Sequence, residues 1–257
     1  MMNKRSSLII EEVLRDGRLS VEELATRLRV SEVSLRRDLR TLEAEGLLRR
    51  DHGGALPVEP VSYAVYSQDS SFQEQLHRNE EEKRHIGIVA ANLIGDDESV
   101  AFTAGTTTTQ VARSMVGRHG MRIFTNAVNI AMELGHRPEI TTVLTGGTMR
   151  GSWFSLIGAP AQEAAANTFV DTAIFGASGI EPDTGVTDSH LEEAALNRAL
   201  VMHARRRILV VDSSKFGVRA THRICDIRDL HLLVTSKKAD PAALEPYRNA
   251  GVEVVQA

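Results

Sequence analysis

The chain has 257 residues, 42% of them hydrophobic, which is enough for a small domain beside a larger one. Its formal net charge is −4, and residues 1–60 hold 11 Lys and Arg against 11 Asp and Glu, which excludes binding through bulk positive charge and leaves only a local basic face. One cysteine, Cys225, excludes an intramolecular disulfide, and no signal-peptide pattern or run of ~18–20 apolar residues is present, so the expectation is a cytoplasmic protein with no membrane partner.

Residues 7–15 carry Leu8, Ile9, Val13 and Leu14 at helical spacing and stop at Asp16-Gly17. Ser20-Val-Glu-Glu23 fits a capping box for a second helix containing Leu24, Ala25 and Leu28. Only Arg29 and Val30 then precede Ser31, an N-cap candidate for a third helix over 31–45. At 100° per residue, Leu35, Leu39 and Leu42 share a narrow arc, and Val33, Arg36, Arg37 and Arg40 lie opposite it. Two short helices joined by so tight a turn cross steeply, which is helix-turn-helix geometry with the second helix as the reading element.

Arginine pairs bidentately with guanine or clamps phosphate, so the predicted partner is double-stranded DNA, with Ser31, Val33, Ser34, Arg36, Arg37 and Arg40 at the groove. Taken alone, three arginines fit a solvated helix face better than a DNA-reading one; the capped helix before them reverses the balance toward DNA. Gly46 ends the third helix. Residues 47–54 suggest a hairpin wing whose Arg49, Arg50 and His52 are placed to meet phosphates, although an ordinary basic loop has the same composition.

The domain boundaries expected are 1–57 for this head, 58–73 for a connection and 74–257 for the larger domain. The connection falls in a stretch with two prolines and several small polar residues between Leu56 and Ser71. A charged helix is expected over 74–93. Short apolar runs follow at 99–103, 121–124, 141–144, 172–175, 207–211, 231–234 and 252–255, separated by helical stretches, one of them over 110–116. Near-continuous apolar runs suit strands buried on both faces, and their alternation with helices predicts an α/β fold with a mainly parallel, doubly wound sheet.

The loops after these runs carry the candidate chemistry. Gly105 and Thr106, Thr107 and Thr108 lead into a helix, where unpaired N–H groups and hydroxyls suit a phosphate. Thr125 and Asn126 end the next run; Gly146 and Gly147, followed by Arg150, end another. Each loop alone is also an ordinary turn. Together, at the carboxyl ends of parallel strands, they point to a small anionic metabolite. Trp153 and Phe154 suit a site wall or an oligomer interface equally. The nine histidines show no paired ligand spacing, so no metal and no cofactor is expected.

Ser31-Glu-Val-Ser-Leu-Arg-Arg-Asp-Leu39, Leu42-Glu43, Gly46 and Arg50-Asp-His-Gly-Gly-Ala55 resemble the winged helix-turn-helix of the DeoR family, with Ser34 and Leu35 standing where Thr and Ile are usual. Gly105-Thr-Thr107, Thr125-Asn126, Gly146-Gly147, Arg150, Gly158, Gly176-Ala-Ser-Gly179, Gly185, Glu193-Ala194, Arg198-Ala199 and Asp212-Ser-Ser-Lys-Phe-Gly217 are similar to that family's effector domain. The resemblance implies a fold like that of ribose-5-phosphate isomerase and CoA-transferases. It also implies a regulator, usually a repressor of carbohydrate catabolism, released from DNA by a phosphorylated sugar. Because one small domain buries little DNA surface, a homodimer or homotetramer on paired half-sites is expected. Glu193 and Lys215 become candidate sugar or phosphate contacts, and Asp188 an acid nearby; Lys215 and Asp212 also fit a purely loop-tying role.

Two positions depart from the family pattern. Thr103 stands where the first loop usually has Asp, and Asn197 where Lys is usual. In the related isomerases an acidic group and a lysine assist proton transfer, and neither Thr nor Asn replaces them. An isomerase with a DNA-binding head, and a regulator whose effector site is vestigial, are the alternative readings; no residue is assigned a catalytic role.

Overall fold

The computed structural model describes residues 4–51, 53–58 and 71–257. The expected connection, apart from its two ends, lies outside the described residues, as does His52. The chain divides into two compact units.

The first unit contains α1 (Lys4–Asp16), β1 (Leu19–Ser20), α2 (Val21–Leu28), α3 (Glu32–Ala44), β2 (Arg49–Asp51) and β3 (Gly54–Leu56). Ser20 and Glu23 form the capping box at the start of α2, each side chain accepting the other's backbone N–H. Helix α2 stops at Arg29, whose backbone is left-handed at φ 55°. Two residues later, Ser31 caps α3 by accepting the Ser34 N–H at 3.3 Å. This tight stop and restart sends α3 across α2. Both close over one core of Ile9, Val13, Leu24, Leu35, Leu39, Leu42 and Leu48.

Charges tie the helices at the rim. Arg5 meets Asp38 at 2.6 Å, joining α1 to α3, and Arg27 meets Glu12 at 2.8 Å, joining α2 to α1. Strand β3 pairs with β1 on one side and β2 on the other, so the expected hairpin is the edge of a three-stranded sheet.

The second unit runs through α4 (Ser71–His77), α5 (Glu80–Asn92), β4 (Ser99–Phe102), α6 (Thr106–Ser114), β5 (Met121–Thr125), α7 (Val128–Leu134), β6 (Ile140–Leu144), β7 (Thr148–Arg150) and β8 (Ser155–Ile157). It continues with α8 (Ala159–Ala166), β9 (Val170–Phe175), β10 (Gly179–Glu181), β11 (Gly185–Asp188), α9 (Leu191–Met202), β12 (Ala204–Val210), β13 (His222–Cys225), β14 (Leu232–Thr235), α10 (Pro241–Asn249) and β15 (Glu253–Gln256). Seven strands form one parallel sheet in the order β15-β14-β12-β9-β4-β5-β6, and they coincide with the seven apolar runs of the sequence. From β4 the chain winds outward through β5 and β6; from β9 it winds the other way through β12, β14 and β15. The order therefore reverses between β4 and β9, and the loops leaving these two strands lie side by side.

Two sequence expectations are corrected and one feature is added. The helix over 74–93 is two helices, broken at Asn79, which adopts φ 54° and gives its side-chain amide to Asp212 at 3.0 Å. The helix expected over 110–116 begins at Thr106: the Thr108 and Thr109 hydroxyls both donate to the Gly105 carbonyl, at 2.9 and 2.6 Å, and hold the first turn despite threonine's low helix propensity. The sheet is accompanied by short antiparallel pieces, the hairpin β7–β8 and the group β10-β11-β13, for which the apolar pattern gave no sign.

Substitutions in α3 test its two faces separately. Leu39→Ala is expected to destabilise the first unit by about 2–5 kcal/mol. Val33→Ala, at a position 77% exposed, should stay within about 0.5 kcal/mol of the parent. Denaturant titration followed by circular dichroism distinguishes the two.

Candidate functional site

Helix α3 presents a basic face. Leu35, Leu39 and Leu42 are buried, while Ser31, Val33, Arg36, Arg37 and Arg40 are exposed and Ser34 is half-buried at the first turn. Arg36 pairs with Glu32 one turn back at 2.8 Å. Such an exposed pair is worth about 0.3–0.5 kcal/mol, so it holds Arg36 only weakly. On the wing, Arg49 is exposed and Arg50 is tied to α3: its backbone N–H donates to the Glu43 carboxylate at 3.0 Å and its guanidinium lies 3.3 Å from the same group. Glu43 thereby fixes the wing against the reading helix.

In the second unit, the loops at the carboxyl ends of the strands are laced together by their own polar side chains. Thr103 is buried, and its hydroxyl accepts the Gly176 N–H at 3.4 Å, bridging β4 and β9 where the strand order reverses. Asn126 accepts the Ala104 N–H at 3.0 Å and donates to the Leu156 carbonyl at 3.5 Å, joining the loops after β4, β5 and β8. Thr125 donates to the Phe102 carbonyl at 2.8 Å and accepts the Ala127 N–H at 3.0 Å. Thr125, Asn126 and Thr108 are thus fully buried framework groups. Thr106 and Thr107 retain 8% and 7% exposure at the α6 N-terminus beside Gly105, which is where an anion would meet that helix.

Gly146 and Gly147 both have positive φ. At Gly147 a Cβ would also lie 2.4 Å from the Ile157 carbonyl oxygen, so only glycine permits the β7–β8 hairpin to fold back there. The hairpin delivers Arg150, whose guanidinium meets Glu193 of α9 at 3.0 Å and lies 5.9 Å over the Trp153 ring. Ser155 also donates to Glu193. Asp188 lies in the same electrostatic neighbourhood. Burial raises its carboxyl above the ordinary range; the His190 N–H opposes this and the Glu193 charge adds to it. Asn197, one helical turn beyond Glu193, is 4% exposed, and its Oδ1 has no hydrogen-bond partner among the described residues.

Lys215 belongs to a second cluster, in the loop after β12. There Asp212 accepts from the Ser214 backbone at 3.0 Å, from the Ser214 hydroxyl at 2.5 Å and from Asn79. Lys83 of α5, with 1% of its surface exposed, lies 3.9 Å from Asp212, and burial lowers its pKa to about 8. Lys83 and Asn79 were not expected from the sequence to pack against this loop. The available signal was Lys83's place three and seven residues before Ile86 and Ala90, which makes it a charge on a buried stripe that needs a partner. Burial also pushes the Cys225 thiol up to about 12, so it carries no thiolate at neutral pH. Among the described residues no three of His, Cys, Asp and Glu converge as metal ligands, and no helix is long and apolar enough to cross a membrane.

Residues 5–61 match the model of the DeoR-like helix-turn-helix domain, and residues 78–237 match that of the DeoR C terminal sensor domain. The HTH-type transcriptional regulator GlpR of Haloferax volcanii is 32% identical over 98% of this chain and 96% of its own. The glycerol-3-phosphate regulon repressor of Escherichia coli is 32% identical over 84% of each chain. Among solved structures, ribose 5 phosphate isomerase A from Neisseria gonorrhoeae is similar over 55% of each chain, with 14% identity and a TM-score of 0.41.

The Asp212 cluster has a testable acid limb. Burial would raise the Asp212 pKa, but its hydrogen bonds from Ser214 and Asn79 and the charge of Lys83 outweigh this and hold it below the ordinary 3.8. A depressed folded-state pKa stabilises the protein above the unfolded value, and that contribution is lost as pH falls through the folded one. Between about pH 5 and pH 3 the wild type should therefore lose more stability than Asp212→Asn, as read from denaturation midpoints at each pH.

Proposed function

The chain belongs to the DeoR family of DNA-binding transcription regulators, and we propose that it represses carbohydrate-catabolism genes until a phosphorylated sugar releases it from its operator. The single observation that carries this reading is α3: a capped helix with a fully buried leucine stripe and an exposed Val33, Arg36, Arg37, Arg40 face, set one tight turn after α2. In this reading Arg36, Arg37 and Arg40 reach base edges and phosphates in the major groove. Ser31 and Ser34 anchor the helix start, and Arg49, Arg50 and His52 hold the flanking backbone. A single small head makes few contacts, so the protein acts as a homodimer or homotetramer on paired half-sites.

The effector occupies the strand-end loops. Its phosphate sits against the α6 N-terminus at Gly105, Thr106 and Thr107, with Arg150, Glu193 and Lys215 as the polar groups for the remainder; Thr108, Thr125, Asn126, Gly146 and Gly147 shape the loops. The domain senses and does not turn over its ligand. Thr103 carries no proton-accepting carboxylate at neutral pH and Asn197 no ammonium, so the proton-transfer pair of an isomerase is absent from these positions.

With a promoter fragment adjoining its gene, Arg36→Ala should weaken binding at least tenfold by gel shift, about 1.4 kcal/mol or more, with unchanged circular dichroism. Full affinity in this variant removes Arg36 from the interface. Ribose 5-phosphate, glucose 6-phosphate, fructose 6-phosphate and glycerol 3-phosphate should be screened by thermal shift. At least one should raise the melting temperature and lower operator affinity. By linkage, the operator should then lower the affinity for that compound by the same factor. Stabilisation by none would favour a domain kept for oligomerisation alone.

A further inference from the structure

We propose that α4 is the relay between the strand-end loops and the DNA-reading unit, held at its start by the turn that follows Arg150 and at its end by the Asp212 loop that carries Lys215. The inference rests on the reading that these loops take an effector. Helix α4 is the first described element after β3 in chain order, so it is the part of the larger unit nearest in sequence to the reading head.

The start of α4 is fixed by aromatic packing. Phe72, 1% exposed, meets Phe154 at 5.3 Å and Trp153 at 6.2 Å between ring centroids, both edge-on, and Leu76 closes the same cluster. Phe154 holds a left-handed backbone at φ 55°, a conformation that bulky residues rarely adopt without support from the surroundings. Trp153 lies beneath the Arg150 guanidinium, which is itself held by Glu193. An anion that draws Arg150 away from Glu193 therefore changes what rests on Trp153, and Trp153 and Phe154 rest on α4.

The end of α4 is fixed by polar groups. The Lys83 ammonium donates to the carbonyls of Gln75 and Arg78 in and just after the last turn of α4. It lies 3.9 Å from Asp212, and Asn79 donates to the same carboxylate at 3.0 Å. Glu82 accepts the Ser213 N–H at 3.0 Å. The loop from 212 to 215 is thus bonded to the junction of α4 and α5. Asn79 is the second residue of this clamp held left-handed, at φ 54°. One short helix is consequently gripped at both ends by loops bearing candidate effector groups, so the effector needs only a different contact energy with two settings of these loops to bias its position.

Two mild substitutions test the relay in the full chain. Asn79→Gly removes the amide bond to Asp212 and keeps the left-handed backbone accessible; Phe72→Leu keeps the site apolar and removes the ring contacts. Trp153 is the chain's one tryptophan, so its emission reports the far end of α4 directly. Without any ligand, Asn79→Gly should alter acrylamide quenching of Trp153 by about twofold, because the two ends of the helix act as one unit. Identical emission and quenching in Asn79→Gly and wild type would overturn the proposal.

With the four sugar phosphates named above, both variants should keep ligand binding by thermal shift and ligand-free operator affinity within about threefold. The ligand-induced drop in operator affinity, about 5- to 150-fold for a typical coupled regulator, should shrink at least fivefold. A lowered melting temperature with an intact release ratio marks Asn79 and Phe72 as merely structural and sinks the relay. If none of these compounds binds the wild type, the effector reading fails, and the ligand-free tryptophan comparison still decides whether the two ends of α4 are coupled.

Discussion

Everything in the larger unit depends on the reversal of strand order between β4 and β9. A parallel sheet that winds outward in both directions from one neighbouring pair must open its loops there, because consecutive crossovers diverge to opposite sides. Thr103 closes the gap at its floor by accepting the Gly176 N–H, and Asn126 ties the adjacent loop to β8. Beside this lacing stand the first turn of α6, Arg150 paired with Glu193, and the 212–217 loop. These are the groups from which the candidate site is built.

The sequence made the sheet legible for a physical reason. Strands buried on both faces must be apolar at nearly every position, so runs such as Ile208–Val211 and Leu232–Val234 stand out without an alignment. The first unit was equally legible, since capping chemistry and a leucine stripe are local signals, from the Ser20–Glu23 box to the buried Leu42. The break between α4 and α5 was not. It is set by Asp212, 133 residues from Asn79 in the chain, and no window of sequence contains both. The loop residues were legible as a set, but their division of labour was not: Thr125 and Asn126 are equally polar in sequence whether they face a ligand or, as found, hold neighbouring backbone. Burial decides between these, and burial is a property of the assembled fold.

Thr103 and Asn197 keep polar side chains at two buried positions of the larger unit. The threonine keeps a hydroxyl at the floor and uses it to join two strands. The asparagine keeps a polar group on the α9 face that also carries Glu193, yet leaves its Oδ1 without a partner. A buried acceptor with no donor among the described residues costs on the order of 1–3 kcal/mol.

The carboxylates seated against Arg36 and Arg50 set how much net positive charge the first unit carries. Glu32 against Arg36 and Glu43 against Arg50 serve as built-in counterions. Each such exposed pair is weak, about 0.3–0.5 kcal/mol, so it balances charge without locking the arginine in place. The unit thereby keeps a local basic face on α3 while its net charge stays near neutral, without the surplus positive charge that would bind any polyanion.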